Sequence, residues 1–102
     1  MLPNYNLDKI KFATDKQTFE RAVGLYKNGK ITRFKEEDGY FSATVIGTKP
    51  YQVTVSVKNY DSGNCDCYLG KEDVLCKHMV AVAIHAVMGG KALSEKDEQL
   101  VL

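Results

Sequence analysis

Alternation is clearest from Tyr51 to Lys58, where Tyr51, Val53, Val55 and Val57 interleave with Gln52, Thr54, Ser56 and Lys58. A period of two predicts a strand with one face buried and one face wet. Tyr40 to Ile46 predicts a second strand, and Lys30 to Glu36 a first, with Ile31 and Phe34 as its apolar positions. Asp38-Gly39 between them is a hairpin-turn dipeptide, and Gly47-Thr48-Lys49-Pro50 is a further turn. Before the strands the period changes. Phe19, Ala22, Val23 and Tyr26 recur at i, i+3, i+4 and i+7, which is one face of a helix. Thr14-Asp15-Lys16-Gln17 has the form of a capping box and Asn28-Gly29 that of a stop, so this helix is predicted from Asp15 to Asn28. The last helix is predicted from Cys76 to Met88, closed by Gly89-Gly90. It is apolar on nearly every side, so it either packs deeply or docks on something. Core packing is the preferred reading. Residues 1–12 carry scattered apolar side chains. They either cover an edge of the domain or are only partly ordered.

These elements predict an α+β fold: an N-terminal helix, a three-stranded antiparallel sheet, a knuckle at residues 65–67 and a C-terminal helix. The expected division is an N-terminal segment 1–13, a domain 14–90 and a tail 91–102 that leads into a longer chain. Asp61-Ser62-Gly63 reads as the turn that enters the knuckle.

The chemistry concentrates at that knuckle. Cys65-Asp66-Cys67 is followed, after eight intervening residues, by Cys76-Lys77-His78. The two phrases hold all 3 cysteines of the chain and one of its 2 histidines. Three thiols and one imidazole complete a tetrahedral set for Zn2+. Side chains i and i+2 of an extended segment point to one side, so Cys65 and Cys67 can grip one ion. Within a helix, i and i+2 diverge by about 200°. Cys76 is therefore expected just before the helix start, with His78 in the first turn. Competing readings are buried or redox-active thiols, or a disulfide. A disulfide leaves one cysteine over, and a Cys-x-Cys bridge closes a strained ring. Four strong protein ligands leave no open coordination position, so the zinc is expected to be structural and the protein not an enzyme. His85 lies two helical turns from His78, roughly 10 Å along the axis, too far to share the metal.

Cys65-Asp66-Cys67 and Cys76-Lys77-His78-Met79-Val80-Ala81-Val82 resemble the SWIM zinc finger, in which Cys-x-Cys, a loop and Cys-x-His run into an apolar helix. The resemblance extends upstream through Phe19-Glu20-Arg21-Ala22, Leu25-Tyr26, Gly29-Lys30-Ile31, Thr44-Val45-Ile46-Gly47-Thr48 and Tyr51-Gln52-Val53, and so covers Phe19 to Val87. It departs at Tyr68, where the family often has proline. That touches loop conformation and not ligation. The resemblance implies an accessory module of a larger helicase-like or transposase-like protein, one that binds DNA or another protein.

Charge sharpens the choice of partner. Formal net charge is +1, but residues 1–35 carry eight Lys/Arg against three Asp/Glu, and residues 36–102 carry six against ten. Three thiolates and one divalent ion bring the total to about zero. A basic first third suits nucleic acid. The candidate contacts are Lys16, Arg21, Lys27, Lys30, Arg33 and Lys35, with Lys71 and Lys77 near the zinc. These last two either offset the charge of the centre or present a cation outward. Protein docking through the last helix is the alternative partner mode, and a thiol-redox or metal-sensing role is a third. Neither a phosphate-binding glycine loop nor a nucleophilic triad appears, so no small-molecule substrate is expected. No apolar run approaches the ~20 residues that span a bilayer. Unpaired cysteines without a signal sequence favour an intracellular setting.

Overall fold

A computed structural model describes residues 5–47, 49–58, 63–65, 76–91 and 93. The architecture is α+β. In chain order the elements are α1 (Leu7–Ala13), α2 (Lys16–Lys27), β1 (Ile31–Glu37), β2 (Tyr40–Ile46), β3 (Pro50–Ser56), β4 (Gly63–Cys65) and α3 (Lys77–Met88). The strands form one antiparallel meander in the order β1-β2-β3-β4. The sheet thus has four strands where the sequence pattern predicts three. The fourth is three residues long, too short to show a period. It forms by pairing Val55 with Gly63, Thr54 with Asn64 and Val53 with Cys65.

The inner sheet face carries Phe41, Ala43, Val45, Val53 and Val55, all buried. Their neighbours Ser42, Thr44, Gln52 and Thr54 line the other face, as the period of two requires. β1 obeys the same rule only through a bulge. Thr32 pairs with Thr44 and Lys35 with Ser42, so Arg33 and Phe34 together oppose Ala43. Arg33 sits at φ +54°, and the extra residue brings Ile31 and Phe34 to the same face. Phe34 then stacks on Phe41 at 5.6 Å. The β1–β2 hairpin turns on Asp38 and Gly39 at φ +51° and +82°, the signs a type I′ turn needs.

α3 lies on the inner face against all four strands, and α1 and α2 pack on it in turn. Every residue from His78 to Ile84 is buried, so the all-round apolar character of this helix belongs to the core. Gly89 ends it in the left-handed region, its N–H bonded to the His85 carbonyl. α2 is capped by Asp15, whose carboxylate accepts from the Thr18 N–H at 2.9 Å and from its hydroxyl at 2.7 Å. These bonds, the backbone one first, hold the Asp15 carboxyl below its usual pKa. The expected cap, Thr14, instead ends α1 with an extended backbone. α1 itself begins at the Asn6 cap, and it brings Leu7 and Ile10 into the common core with Tyr5. The Tyr5 hydroxyl donates to the Ser56 carbonyl, and burial raises its pKa.

Among the described residues, no helix is long and apolar enough to cross a membrane.

Candidate metal centre

Three of the four expected ligands converge where the sheet hands over to α3. Cys65 ends β4, on the side where β4 pairs with β3. Cys76 is the residue before α3, with extended backbone (φ −101°, ψ 165°), and His78 is the second residue of the helix. This is the arrangement that the i, i+2 spacing demands. A residue at this cap position usually accepts a helix N–H with its side chain. Cys76 makes no such bond. Its sulfur lies 3.8 Å from His78 Nδ1, and the sulfur of Cys65 lies 3.7 Å from the same nitrogen. All three donor atoms fall within 4.8 Å of one another.

The donor set fits a tetrahedral ion. Bonds of ~2.3 Å to sulfur and ~2.05 Å to nitrogen place S···N pairs about 3.6 Å apart and S···S pairs about 3.8 Å apart. The observed S···N distances lie close to those values. Cys65, Cys76 and His78 therefore form a group able to hold a metal ion. All three are buried. The N-terminus of α3 adds the positive end of its dipole, which favours thiolate over thiol. Cys67, the fourth expected ligand, and Lys71 lie outside the described residues.

The imidazole orientation is set from across the sheet. Nδ1 faces the two sulfurs, so the proton of a metal-bound His78 belongs on Nε2. Tyr51, on β3, lies against the His78 ring at 4.5 Å between centroids and 33° between planes. Lys49 stands over the outer face of Tyr51 at 5.6 Å. Nε2 points at the Gly47 backbone, where a Cβ would lie 3.3 Å from Nε2 and 3.0 Å from Tyr51 Cε2. Among the described residues Nε2 is buried without a hydrogen-bond partner. Sequence reasoning assigned Gly47 to a turn and Tyr51 to strand packing. Only the fold shows that both touch the candidate ligand.

The candidate nucleic-acid contacts are distributed over α2 and β1. Lys16, Arg21, Lys27, Lys30, Arg33 and Lys35 are exposed, and Lys77 is half-buried. Lys35 is engaged by Glu37 at 3.1 Å. His85 takes no part in the metal group. It packs against Phe34 at 4.3 Å and Tyr26 at 5.7 Å, and burial lowers its pKa. Among the aromatics, Phe41 is buried, Tyr51 half-buried and Tyr40 exposed, while Tyr60 and Tyr68 lie outside the described residues.

Comparison with family models, with curated proteins and with solved structures found no match.

Proposed function

We propose that this chain is a structural-zinc module of the SWIM type, intracellular and non-catalytic, that binds nucleic acid weakly through its basic surface. The observation that carries the zinc reading is the buried convergence of Cys65, Cys76 and His78 Nδ1 at tetrahedral spacing. Cys67, two residues beyond Cys65, supplies the fourth donor. Thiolates and a neutral imidazole are the ligand types zinc prefers over hard cations. With four protein ligands the ion has no position for substrate or water. Its role is to join the end of β4 to the start of α3.

Support for nucleic acid comes from the exposed cations on two consecutive elements, α2 and β1. Lys35 contributes less, because Glu37 neutralises it. Three to four phosphate contacts correspond to a slope of log K against log salt of about −2 to −4, and to affinity of roughly micromolar or poorer. The competing reading is protein docking within a larger helicase-like or transposase-like protein. Its motive was the apolar last helix, whose residues from His78 to Ile84 are used within the core.

The test has two parts. Elemental analysis of protein purified without chelator should give one zinc per chain, and a metal-free protein of native fold would end the reading. Labelled oligonucleotides titrated at two salt concentrations should give the stated slope. Arg21→Glu combined with Arg33→Glu should weaken binding several-fold and leave the zinc bound. Equal binding by this variant makes the basic surface a solvated face and turns the choice to docking.

A further inference from the structure

At the end of α3 away from the metal group there is a recess of about 420 Å³, between the end of α2, the start of β1 and the turn after α3. Its volume lies within the range of small-molecule sites, roughly 300–1,000 Å³. Ile31 and Leu93 give it an apolar floor, and Tyr26 and His85 give it aromatic walls whose planes meet at 78°. Lys27 and Lys91 stand at its rim, both exposed. Gly29 and Gly90 complete the lining, and a Cβ at either would meet nothing within 4 Å. Lys91 was absent from the candidate contacts read from sequence.

The recess is preformed. The Tyr26 hydroxyl donates to the Lys91 carbonyl, which ties α2 to the turn after α3. The His85 ring is held by Phe34 from behind. Half-buried and neutral, this imidazole offers one donor and one acceptor, and neither has a hydrogen-bond partner among the described residues. The ends of α2 and α3 present carbonyls here, which alone would repel an anion. Most of those carbonyls are already covered. Asn28, Gly29 and Lys30 N–H groups bond to Gly24, Tyr26 and Leu25 carbonyls, and Gly89 and Lys91 N–H groups to His85 and Met88 carbonyls. The exposed Lys91 ammonium therefore sets the sign at the rim.

A flat heterocycle with hydrogen-bonding edges, carried on an anionic linkage, matches this combination. We infer that the recess takes one unpaired nucleotide of a single strand, its base against Tyr26 and His85 and a flanking phosphate at Lys91. The inference rests on the nucleic-acid reading above and assigns it a preference for single strands. The pocket supplies stacking and an imidazole but no set of donors that reads one base. Discrimination among bases should therefore be weak.

The experiment measures fluorescence anisotropy of a labelled oligothymidine and of a blunt duplex of equal length, at ~50 mM salt. The zinc-loaded chain should bind the single strand at least about five-fold more tightly, the contribution expected of one stacked base. Leu93→Trp, which fills the recess, should abolish that preference while leaving duplex affinity unchanged. Lys91→Ala, at an exposed side chain, should reduce the preference and serves as the deciding variant if Leu93→Trp does not fold. Equal binding of strand and duplex by the wild type, or an unchanged preference in the folded variants, overturns the nucleotide pocket and leaves the basic-surface reading standing. No binding to either oligonucleotide overturns both.

Discussion

Gly63→Ala is a one-carbon change that should loosen the candidate metal centre without touching Cys65, Cys76 or His78. Gly63 opens β4 at φ +157°, directly against the backbone of β3. A Cβ there would lie 2.0 Å from the Thr54 carbonyl oxygen, 2.8 Å from its carbon and 2.9 Å from Val55 Cα. Carbon and oxygen tolerate contact at about 3.3 Å, so β4 must retreat by roughly 1.3 Å at this point. A backbone hydrogen bond of ~2.9 Å does not survive that displacement. β4 has only three paired positions, ending at Cys65. Losing two or three bonds at about 1 kcal/mol each, with ~1–3 kcal/mol of backbone strain, gives roughly 3–6 kcal/mol. A domain of this size has a net stability of about 5–15 kcal/mol. The melting temperature should fall by at least ~12 °C.

The retreat also carries Cys65 away from His78 Nδ1, now 3.7 Å away. Ligand distances tolerate only about ±0.2 Å, so metal affinity should drop by about 10–100-fold, as when an outer-sphere support is lost. Competition with a chromophoric chelator reads the affinity, and calorimetry reads the melting point. Gly24→Ala is the matched control: it lies inside α2 and its Cβ meets nothing within 4 Å. It should stabilise by about 0.5–1 kcal/mol. If Gly63→Ala melts within ~2 °C of wild type and competes equally with the chelator, the close approach of β4 to β3 is not what holds Cys65 in place.

Cys76→Ser and His78→Ala should each lose the metal and melt well below wild type, because a structural zinc contributes ~10–16 kcal/mol of apparent binding free energy; an unchanged melting point with the metal gone contradicts this. Burial depresses the His85 pKa below its ordinary 6.5, so the unfolded chain takes up this proton first. The stability His85 contributes is fully present above about pH 6.5 and is lost as pH falls through that value toward the folded pKa. The urea midpoint of wild type should fall relative to that of His85→Phe as pH is lowered through that window; parallel curves refute it. Arg33→Gly should keep or raise stability by up to ~1 kcal/mol, since glycine accepts φ +54° without the penalty that other residues incur, and should weaken oligonucleotide binding. A loss of more than ~1 kcal/mol in urea unfolding would show that the Arg33 side chain supports the bulge.

What could be read from sequence was whatever local physics decides. The alternation in β3, the Asp38-Gly39 hairpin and the placing of Cys76 before a helix with His78 inside it each follow from a period or a bond angle. What escaped depended on a neighbour. Ile31 and Phe34 are three apart, which no regular strand puts on one face, and the bulge between Thr32 and Lys35 that reconciles them was not read from the sequence. Its consequence, Phe34 stacked between Phe41 and His85, needs the sheet and α3 together. The capping pattern at Thr14 was overridden because α1, too short to show a helical period, ends there and leaves Asp15 to cap α2.

Gly47 shows where this boundary lies. A glycine between two strands reads as a turn residue chosen for its backbone freedom. In the fold its φ is outside the left-handed region, so conformation does not require glycine there. Space does. Tyr51 must reach the His78 ring, and a Cβ at position 47 would press on both at 3.0 and 3.3 Å. A Cβ at position 47, four residues before Tyr51 and 31 residues before His78, would thus press on the ring whose Nδ1 faces the sulfurs. The choice between the two imidazole nitrogens could not be made from Cys-x-His spacing, which constrains only where the ring is attached. In the fold Nδ1 faces the sulfurs while Nε2 faces the Gly47 backbone. A candidate metal group whose described members Cys65, Cys76 and His78 lie within fourteen consecutive residues therefore packs against a hairpin outside that segment.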